Sequence, residues 1–597
     1  MGFSDKIASF RAFVARVVRL SAPYFQSEKK WHARGMFFAI VALNLGSVYM
    51  AVLFNDWYGL FYDALQNKDQ AVFWTQIGRF GYLAFFAIII AVYRFYLTQL
   101  LEMNWRQWMT GYYLRRWLGG NAFYQMELAR FAKQTGAPPD NPDQRISEDV
   151  NQFTSQTLGL TMGVLNATVT LVSFVGILWT LSGAFDVTLG GRTFNIPGFM
   201  VWMAILYCVV GSVLTHYIGR RQIRLNFEQQ RREADFRHHM VRVREYSEAI
   251  ALDRGQTVEK DHLGTRFVSV LENYLALIKA QKSLIWFTSF FGQAAVVFPM
   301  IVAAPRYFSG AIQLGDLMKI NSAFGRVQDS LSWFVDNYSG LAAWRATTDR
   351  LTSFDDAISR AEVGNPRLHQ ADGSGLDAHD LNVALPTGAV LLASTRLNVK
   401  EGDHILLQGP SGSGKSTLFR TLAGVWPFAS GQVIRDTDTM FIPQHPYFPN
   451  GSLREALAYP ESATRYSTEE MGRVLAEALL PDLIDELDRV DAWSQKLSGG
   501  EQQRLAIARV LLKQPRWVFA DEATSALDAK AEETVYRKLL AMVEKTGGGI
   551  VSIAHRASVA AFHNRRWTLQ ATPAGAAARY TLDAGAMTPA AEAVKGG

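Results

Sequence analysis

A glycine-rich segment that can bind phosphate lies in the last third of the chain. Residues 409–416 read GPSGSGKS, which matches the pattern G-x-x-x-x-G-K-[ST]. The apolar residues 404–408 before it predict a strand, and residues 417–426 after it predict a helix. In that setting Lys415 reaches the β- and γ-phosphates, and the Ser416 hydroxyl can ligate Mg²⁺. The expected nucleotide-binding residues of this loop are Gly409, Pro410, Ser411, Gly412, Ser413, Gly414, Lys415, Ser416 and Thr417.

Further polar motifs follow the loop in order. They are Gln444 in FIPQHPYFP, LSGGEQQR at 497–504, WVFADE at 517–522, SALD at 525–528 and His555 in IVSIAHR. WVFA predicts a strand that delivers Asp521 and Glu522 to the phosphates. LSGGEQQR predicts a helix whose N-terminal amides and Ser498 suit a γ-phosphate. Two acids at a strand end are often only solvated, and a lone histidine is usually structural, but their order behind the loop favours one joint site.

Together these motifs resemble the ATPase domain of the ABC transporter superfamily, over about residues 376–570. The resemblance implies an α/β P-loop fold that binds ATP with Mg²⁺ and hydrolyses the nucleotide. It implies that Asp521 holds Mg²⁺ through water, that Glu522 polarises the attacking water as a general base, and that His555 senses the γ-phosphate. The implied catalytic residues are Glu522, His555 and Gln444. The implied Mg²⁺ ligands are Ser416, Gln444 and Asp521.

The LSGGEQQR segment makes the expected ATP site a shared one. In this superfamily the segment closes on the ATP that is bound to the opposite subunit, so the resemblance implies a homodimer. Two copies are required physically, because one chain supplies each half-site only once. The residues implied on the far side of the ATP are Ser498, Gly499 and Gly500. Asp528 is implied to carry communication between the two halves.

The region expected to meet the adenine departs from many relatives. They stack the base on an aromatic residue about 25 residues before the phosphate loop. Here that region reads NVALPTGAVLL, at residues 382–392, and contains no aromatic residue. Leu385 and Val390 are the adenine contacts we expect instead.

The composition indicates a membrane part joined to a soluble part. Of 597 residues, 49% are hydrophobic and 19% are charged, and the length allows two or three domains. The single cysteine, Cys208, lies in an apolar stretch and excludes intrachain disulfides and a cysteine-based metal site. The net charge of +6 comes from basic residues beside the apolar runs, so we expect no nucleic-acid partner.

Six apolar runs predict how the chain crosses a lipid bilayer. They lie near residues 36–54, 80–100, 157–182, 197–217, 284–304 and 310–334. The first five can span a hydrocarbon core of about 30 Å, whereas the sixth is too polar to be assigned on hydropathy alone. Basic residues crowd the N-terminal segment and residues 101–154 and 218–282, and the alternate connections carry few. By the positive-inside rule both termini are cytoplasmic, in a multi-pass protein.

The helices on either side of the two long basic segments should extend well beyond the bilayer, because few helix-breaking residues interrupt them. Their tips must touch the ATPase domain if hydrolysis is to move the membrane part. The expected tips are the turn at 136–150 and the segment at 244–256.

The predicted limits follow from these patterns. We expect a cytoplasmic or interfacial amphipathic segment at 1–34, a transmembrane domain at 35–345, a linker at 346–375, the ATPase domain at 376–572 and a flexible tail at 573–597. Within the first segment, one helical face carries Phe3, Ile7, Phe10, Val14 and Val17. That face predicts a helix lying at the membrane surface, and a helix of a small soluble core is the alternative.

The membrane motifs narrow the resemblance. They are NDWYGLFYDALQ (55–66), WRQWMTGYYLRRWL (105–118), NPDQRISEDV (141–150) and LMKINSAFGRVQDSLSWFVDNY (317–338). These segments are similar to the SbmA/BacA-like branch, among its YddA-type members that carry a fused ATPase. The resemblance implies import of hydrophilic cargo, such as peptides, peptide antibiotics or cobalamin, across the bacterial inner membrane. The ABCD family of peroxisomal transporters shares the NPDQ segment and several ATPase motifs, and that resemblance implies lipid-like cargo.

The sixth run carries the residues that bear on cargo. Within an arc of about 100° it places Lys319, Arg326, Asp329 and Asp336. Ionisable groups avoid hydrocarbon, at roughly 2.5–3.5 kcal/mol each on insertion scales, so these residues line a water-filled cavity or a solvated cytoplasmic face. We expect the cavity, which suits a polar solute better than an acyl chain. Two placements are open for Arg94 inside the second run: it lines the same space, or it only reaches the membrane interface.

Three other functions fit parts of this pattern. An exporter of drugs or lipids and an acyl-CoA transporter would share the fold, and an ATP-gated conduit would share the ATPase motifs. A soluble mechanical ATPase, such as a repair factor, does not explain the membrane runs with alternating charge. The sequence therefore predicts six transmembrane helices of an ABC exporter-like fold, fused to the ATPase and bound to a second copy of the chain.

Overall fold

The structure is a computed structural model whose chain forms two compact units. One unit comprises residues 1–112 and 141–352, and the other comprises residues 113–140 and 353–597. The described residues are 3–129, 141–182, 184–189, 192–362, 365, 367–554, 556–573 and 575–586.

The first part of the chain is almost entirely helical. Its helices are α1 (Phe3–Gln26), α2 (Lys30–Gln66), α3 (Gln70–Leu118), α4 (Ala122–Ala129), α5 (Pro142–Gln144), α6 (Val150–Ser182), α7 (Phe199–Glu245), α8 (Ser247–Leu252), α9 (Gln256–Phe308), α10 (Leu314–Asp336) and α11 (Tyr338–Glu362). A π-helical turn at Arg145–Asp149 joins α5 to α6. An antiparallel hairpin of β1 (Ala184–Leu189) and β2 (Arg192–Pro197) joins α6 to α7.

Five of the described helices are long and apolar enough to cross a membrane. They are α2, α3 with its continuation into α4, α5 with α6, α7 and α9. At about 1.5 Å per residue, α3, α7 and α9 are each about 70 Å or longer, more than twice a hydrocarbon core of about 30 Å. Each therefore has several turns outside any bilayer that it crosses.

The helix α10 contains most of the sixth predicted run and packs against α2, α6, α7 and α9. Its buried face is apolar and includes Ile320, Phe324 and Val327, which join a cluster with Phe174 of α6. The charged residues of α10 lie off this face, because burial in that cluster would strip them of water. Packing among the other helices thus orients a helix whose hydropathy alone is ambiguous.

The helix α1 has two apolar sides. Phe13, Leu20 and Tyr24 are buried, and the Phe13 ring packs edge-on against Trp344 of α11. Ile7 and Phe10, on the face predicted to meet the membrane, are exposed on the protein surface. The side chain of Phe3, which the sequence predicts on the same face, lies outside the described residues. One side of α1 therefore packs on the protein, and the other remains available to lipid.

The second unit is built on two main sheets. Its strands are β3 (Leu368–Asp372), β4 (Leu376–Ala384), β5 (Val390–Val399), β6 (His404–Gln408), β7 (Ala429–Arg435), β8 (Thr439–Ile442), β9 (Gly451–Ser452), β10 (Val490–Asp491), β11 (Trp517–Asp521), β12 (Gly549–Ile553), β13 (Arg565–Ala571) and β14 (Tyr580–Ala586). Six strands form one sheet in the order β14-β13-β6-β12-β11-β8, and all neighbours except β14 pair in parallel. The central strands are buried on both faces, so their sequences are continuously apolar.

The remaining elements of this unit surround the sheets. A four-stranded sheet has the order β3-β7-β4-β5, and β9 pairs with β10. The helices are α12 (Lys415–Leu422), α13 (Leu453–Ala458), α14 (Thr468–Glu477), α15 (Trp493–Lys496), α16 (Gly499–Lys513), α17 (Ala529–Thr546) and α18 (Ala557–Ala560). One hydrophobic cluster joins α12 to both sheets, through residues such as Leu418, Val433 and Val551.

The end of α3 and the short helix α4 belong to the second unit. Leu128 of α4 packs on the cluster that includes α12 and both sheets. Arg116, near the end of α3, donates to Asp355 and Glu362 of α11 at 2.5 and 2.7 Å. Residues 136–140 of the predicted tip lie outside the described residues, and Asp149 is buried in the first unit, where it accepts from Arg145 and Arg350. Within the second unit, α4 thus packs on the core just before the predicted tip, and the contact of the segments at 136–150 and 244–256 with the ATPase domain stays a prediction.

Two predicted limits differ from the observed elements. The predicted linker at 346–375 contains the end of α11 and the strand β3, which pairs in parallel with β7. The predicted flexible tail at 573–597 contains β14, which pairs with β13 along its whole length, and residues 587–597 lie outside the described residues. Neither strand stands out by hydropathy, because each is at a sheet edge and most of its residues are exposed, as are four of the five in β3.

Candidate functional site

The phosphate-loop residues lie at the centre of the six-stranded sheet. The strand β6 has the predicted bounds 404–408, and α12 begins at Lys415, two residues earlier than predicted. Gly412 and Gly414 have φ of 75° and 91°, values that favour glycine. A Cβ at Gly414 would lie 2.7 Å from the Leu391 Cδ1 atom. The loop shape therefore depends on glycine at these positions, and it leaves the first N–H groups of α12 without partners inside the helix.

Lys415 is held against the loop. Its Nζ donates to the Gly409 and Pro410 carbonyls at 3.1 Å each, and the residue is 7% exposed. Burial lowers the pKa of Lys415, while the nearby carboxylates of Glu522 and Asp521 act in the opposite direction. The site therefore contains a desolvated cation beside a helix N-terminus, which suits a polyphosphate.

Asp521 ends β11 next to the start of α12. Burial raises its pKa, and a hydrogen bond from the Ser416 side chain partly offsets this effect. A hydroxyl and a carboxylate oxygen are thus in contact beside the phosphate loop. Oxygen donors of this kind are what Mg²⁺ prefers, so the residues present fit the ion.

Glu522 and Gln444 are in direct contact. The Gln444 Nε2 atom donates to Glu522 Oε2 at 2.8 Å. Glu522 has φ of 48°, which is uncommon for a residue other than glycine, and its N–H donates to the Ile553 carbonyl at 3.0 Å. Backbone strain of this sort is found most often at functional positions. The structure therefore brings Gln444, Asp521, Glu522 and the phosphate loop to one edge of the sheet.

The start of α16 is capped within its own chain. Ser498 is the N-cap, its Oγ lies 2.7 Å from Glu501 Oε2, and both Ser498 and Gly499 are exposed. The exposed N-terminus of a helix of this length can accept an anion from outside. Within one chain, α16 connects the exposed Ser498 at its N-terminus to Glu522, which a residue in its first turns contacts.

A residue without an assigned role in the sequence analysis makes that connection. Gln503 is buried, donates to the Glu522 carbonyl at 3.2 Å and to Ser525 Oγ at 2.9 Å, and accepts from the Ala526 N–H at 2.8 Å. The signal was present, because Gln503 is part of LSGGEQQR. Its partners, however, are known only from the fold.

The SALD segment is held by its neighbours. Asp528 caps α17 by accepting from the Ala531 N–H at 2.8 Å. Arg556 donates to the carbonyls of Ser525 and Leu527, and so supports the same turn. His555, the predicted γ-phosphate sensor, lies outside the described residues. Arg556 was not among the predicted site residues, although it directly follows His555.

The expected adenine contacts lie at a β-turn. Leu385 and Val390 are half-buried and flank the turn between β4 and β5, where the Leu385 N–H donates to the Ala389 carbonyl at 2.8 Å. Their partly exposed apolar surface can pack on a flat base, and their contact with adenine stays a prediction.

A second candidate site is a polar cavity of about 480 Å³ among the helices of the first unit. Its polar lining includes Asn44, Arg94, Asn166, Thr170, Arg326 and Asp329. The first four fall inside or at the margins of predicted apolar runs, so the cavity lies at the level of those runs. Arg94 also donates to Ser47 Oγ at 3.3 Å.

The four charged residues predicted to share one arc of α10 separate into two groups. Arg326 and Asp329 line the cavity. Lys319 lies along α2 instead, where a Cβ at Gly59 would be 2.0 Å from Lys319 Cε, and Asp336 is exposed at the end of α10. The difference arises because a long side chain can leave its own arc and cover a glycine on the neighbouring helix.

Family models match both parts of the chain. Residues 20–308 match the model described as ABC transporter transmembrane region 2, and residues 392–525 match the model described as ABC transporter. The chain is 33% identical to the inner membrane ABC transporter ATP-binding protein YddA of Escherichia coli, over 92% of this chain and 96% of that protein.

Two further relatives and one solved structure extend this likeness. The chain is 33% identical to ABC transporter D family member 2, chloroplastic, of Arabidopsis thaliana, over 94% of this chain and 86% of that protein. It is 26% identical to the human lysosomal cobalamin transporter ABCD4, over 92% and 94% of the two chains. The structure of a bacterial Atm1-family ABC exporter with ATP bound matches with a TM-score of 0.66 and 18% identity, over 91% and 94% of the chains, which establishes a shared fold.

Proposed function

Because this chain belongs to the ABC transporter family, with its membrane region and ATPase fused in one polypeptide, we propose that it imports hydrophilic solutes. Membership in this family establishes that the chain is a multi-pass membrane protein of ATP-driven transport. The proposal adds a homodimer in the bacterial inner membrane, with both termini in the cytoplasm, and cargo of the peptide, peptide-antibiotic or cobalamin type. The observation that carries the cargo class is the polar cavity of about 480 Å³.

The proposed roles at the ATP site follow from the contacts in the second unit. The loop amides and Lys415 bind the phosphates, and Ser416, Asp521 and the Gln444 side chain hold Mg²⁺. When bound, Mg²⁺ neutralises charge on the β- and γ-phosphates. Glu522, oriented by Gln444, accepts the proton of the attacking water.

We propose the homodimer because the nucleotide site has two halves, the phosphate loop with Lys415 and the N-terminus of α16 with Ser498, and we expect each ATP to bind between halves from different chains. Ser498 and Gly499 are exposed and capped by Glu501 of their own helix, whereas Lys415 is buried in its own loop. A second copy that presents Ser498 to the γ-phosphate would complete the site, and Asp528 would lie on a turn that reports its closure. His555 is proposed as the γ-phosphate sensor on the motif alone.

The cargo class is proposed from the chemistry of the cavity. Arg94, Arg326 and Asp329 bring both signs of charge to a space at the level of the apolar runs. Such residues are expensive in hydrocarbon and are tolerated where they line water or bind a polar ligand. An acyl chain would gain nothing from these groups and would desolvate them.

The relatives also support hydrophilic cargo. ABCD4 is named as a cobalamin transporter, and cobalamin is hydrophilic and bulky. The membrane motifs at 55–66 and 141–150 support placement in the SbmA/BacA-like branch, whose fused members import hydrophilic cargo. Import, rather than export, rests on that placement.

Transport into right-side-out vesicles tests the proposal. Vesicles loaded with ATP and Mg²⁺ are offered a labelled peptide, cobalamin or an acyl-CoA. We expect uptake of a hydrophilic solute, and we expect replacing both Arg326 and Asp329 by Leu to lower uptake at least about tenfold while ATP hydrolysis persists. The matched control replaces Arg231 and Asp235, two exposed charged residues on α7, by Leu as well.

Each other result points to a different function. Movement of solute only out of the ATP-containing compartment would mean export, and uptake of acyl-CoA alone would mean lipid-like cargo. Downhill flow that continues in Glu522→Gln vesicles with ATP bound would mean a gated conduit. Uptake that survives in the Arg326 and Asp329 double variant would remove the cavity from the transport path.

A further inference from the structure

Two histidines and a glutamate meet where α7 packs against α9. None of the three belongs to the nucleotide site or lines the polar cavity. His239 is on α7, and Glu259 and His262 are on α9. One ligand atom from each of the three lies within 4.8 Å of the others, and His239 Nε2 is 2.8 Å from Glu259 Oε2. Ligands of one tetrahedral Zn²⁺, at about 2.0–2.2 Å from the ion, are about 3.3 Å apart. Small side-chain rotations would therefore bring all three onto one ion.

The packing of the two helices holds this cluster in place. Asn273 donates to Gln229 at 2.8 Å, and the rings of Phe236 and Phe267 lie 5.5 Å apart. These pairs fix an antiparallel register that continues to His239. The register is thus set by contacts that do not include the cluster, so its three ligands are brought together before any ion binds.

The positions of the ligands suit a surface site with access to water. Glu259 and His262 are three residues apart on α9, so they share one face of that helix. His239 and Glu259 are half-buried and His262 is exposed. An ion held by the three would keep an open position for water, as three-ligand zinc sites do.

We propose that His239, Glu259 and His262 bind one divalent transition-metal ion, with Zn²⁺ as the first candidate. Two imidazoles and a carboxylate form a set that suits Zn²⁺, Cu²⁺, Ni²⁺ and Co²⁺, whereas Mg²⁺ and Ca²⁺ prefer oxygen alone. This site shares no residue with the nucleotide site. In sequence, α8 lies between α7 and α9. The ion would therefore link the end of α7 to the start of α9, on either side of α8.

Zinc titration of the full-length protein tests the site. The protein is purified without a polyhistidine tag, stripped with a chelator and titrated with Zn²⁺ against a chromophoric competitor. We expect one Zn²⁺ per chain. We expect His239→Ala and His262→Ala each to weaken binding at least about tenfold, because each removes a ligand. The control is His238→Ala, the exposed neighbour of His239 that is outside the cluster.

Two further measurements separate loss of the ligand from loss of the fold. Glu259→Gln keeps a side chain of the same size beside His239 but removes the carboxylate, and we expect it to weaken Zn²⁺ binding with an unchanged melting temperature in chelator. Co²⁺ should give a visible absorption band that both histidine variants lose. Equal Zn²⁺ affinity in the wild type, His239→Ala and His262→Ala would overturn the proposal, as would the absence of Zn²⁺ binding to the wild type.

Discussion

The buried amide of Gln503 should be needed for ATP turnover, although it touches no phosphate. Replacing Gln503 by Met keeps the volume and removes three hydrogen bonds, to the Glu522 carbonyl, Ser525 Oγ and the Ala526 N–H. Each neutral bond contributes about 1 kcal/mol. Because Ser525 and Ala526 are exposed and water can replace part of the loss, we expect a net cost of about 2 kcal/mol.

That free energy has two measurable consequences. If it is what holds Glu522 in its strained conformation, turnover should fall by up to about 30-fold. The melting temperature of the ATPase domain should fall by about 4–8 °C. Both are measured on the purified protein, by phosphate release at saturating ATP and by thermal unfolding.

The matched control is Gln502→Met. The Gln502 amide donates to the Ser494 and Leu497 carbonyls at 2.9 Å each. It therefore supports the segment that leads into α16 and makes none of the three hydrogen bonds of Gln503. We expect a similar loss of stability with most of the turnover retained. Wild-type turnover in Gln503→Met, or an equal loss of turnover in both variants, would refute the role assigned to Gln503.

Three other perturbations test separate parts of the site. Glu522→Gln should keep ATP binding, lower phosphate release at least about 100-fold and trap ATP-bound dimers on gel filtration, and unchanged release would show that another group activates water. A mixed dimer of one Ser498→Arg chain and one Lys415→Ala chain keeps one composite site intact. Once isolated, this mixed dimer should bind some ATP. An equal defect in the mixed dimer and in both mutant homodimers would contradict the shared site. Burial lowers the pKa of His563 to about 4, below the value near 6.5 of an exposed histidine, so stability should fall as pH drops from about 6.5 toward 4, by about 1–2 kcal/mol near pH 5. Thermal unfolding of His563→Gln should lack this contribution, and an equal pH dependence in both proteins would count against it.

The sequence predicts the central strands and the phosphate loop of the ATPase half, because neighbouring residues determine them. The strand at 404–408 and the strand that starts at Trp517 have the predicted places, since a buried central strand needs a continuous apolar run. The phosphate loop needs glycine at positions 412 and 414 because of their positive φ. The sequence does not predict the edge strands β3 and β14, because an edge strand that is largely exposed to water has a weak apolar signal.

The sequence by itself determined the order of the motifs, the division into membrane and ATPase parts, and the residue types at the nucleotide site. These depend on periodicity, on backbone conformations that only some residues adopt, and on hydropathy, all of which act over a few residues. Tertiary structure alone decided which distant residues meet. It joined Gln503 to the Glu522 carbonyl, brought Arg94 to the same cavity as Arg326, and placed His239 beside Glu259. Such meetings depend on how whole helices pack and in which register, and packing is a property of the folded chain rather than of any segment of it.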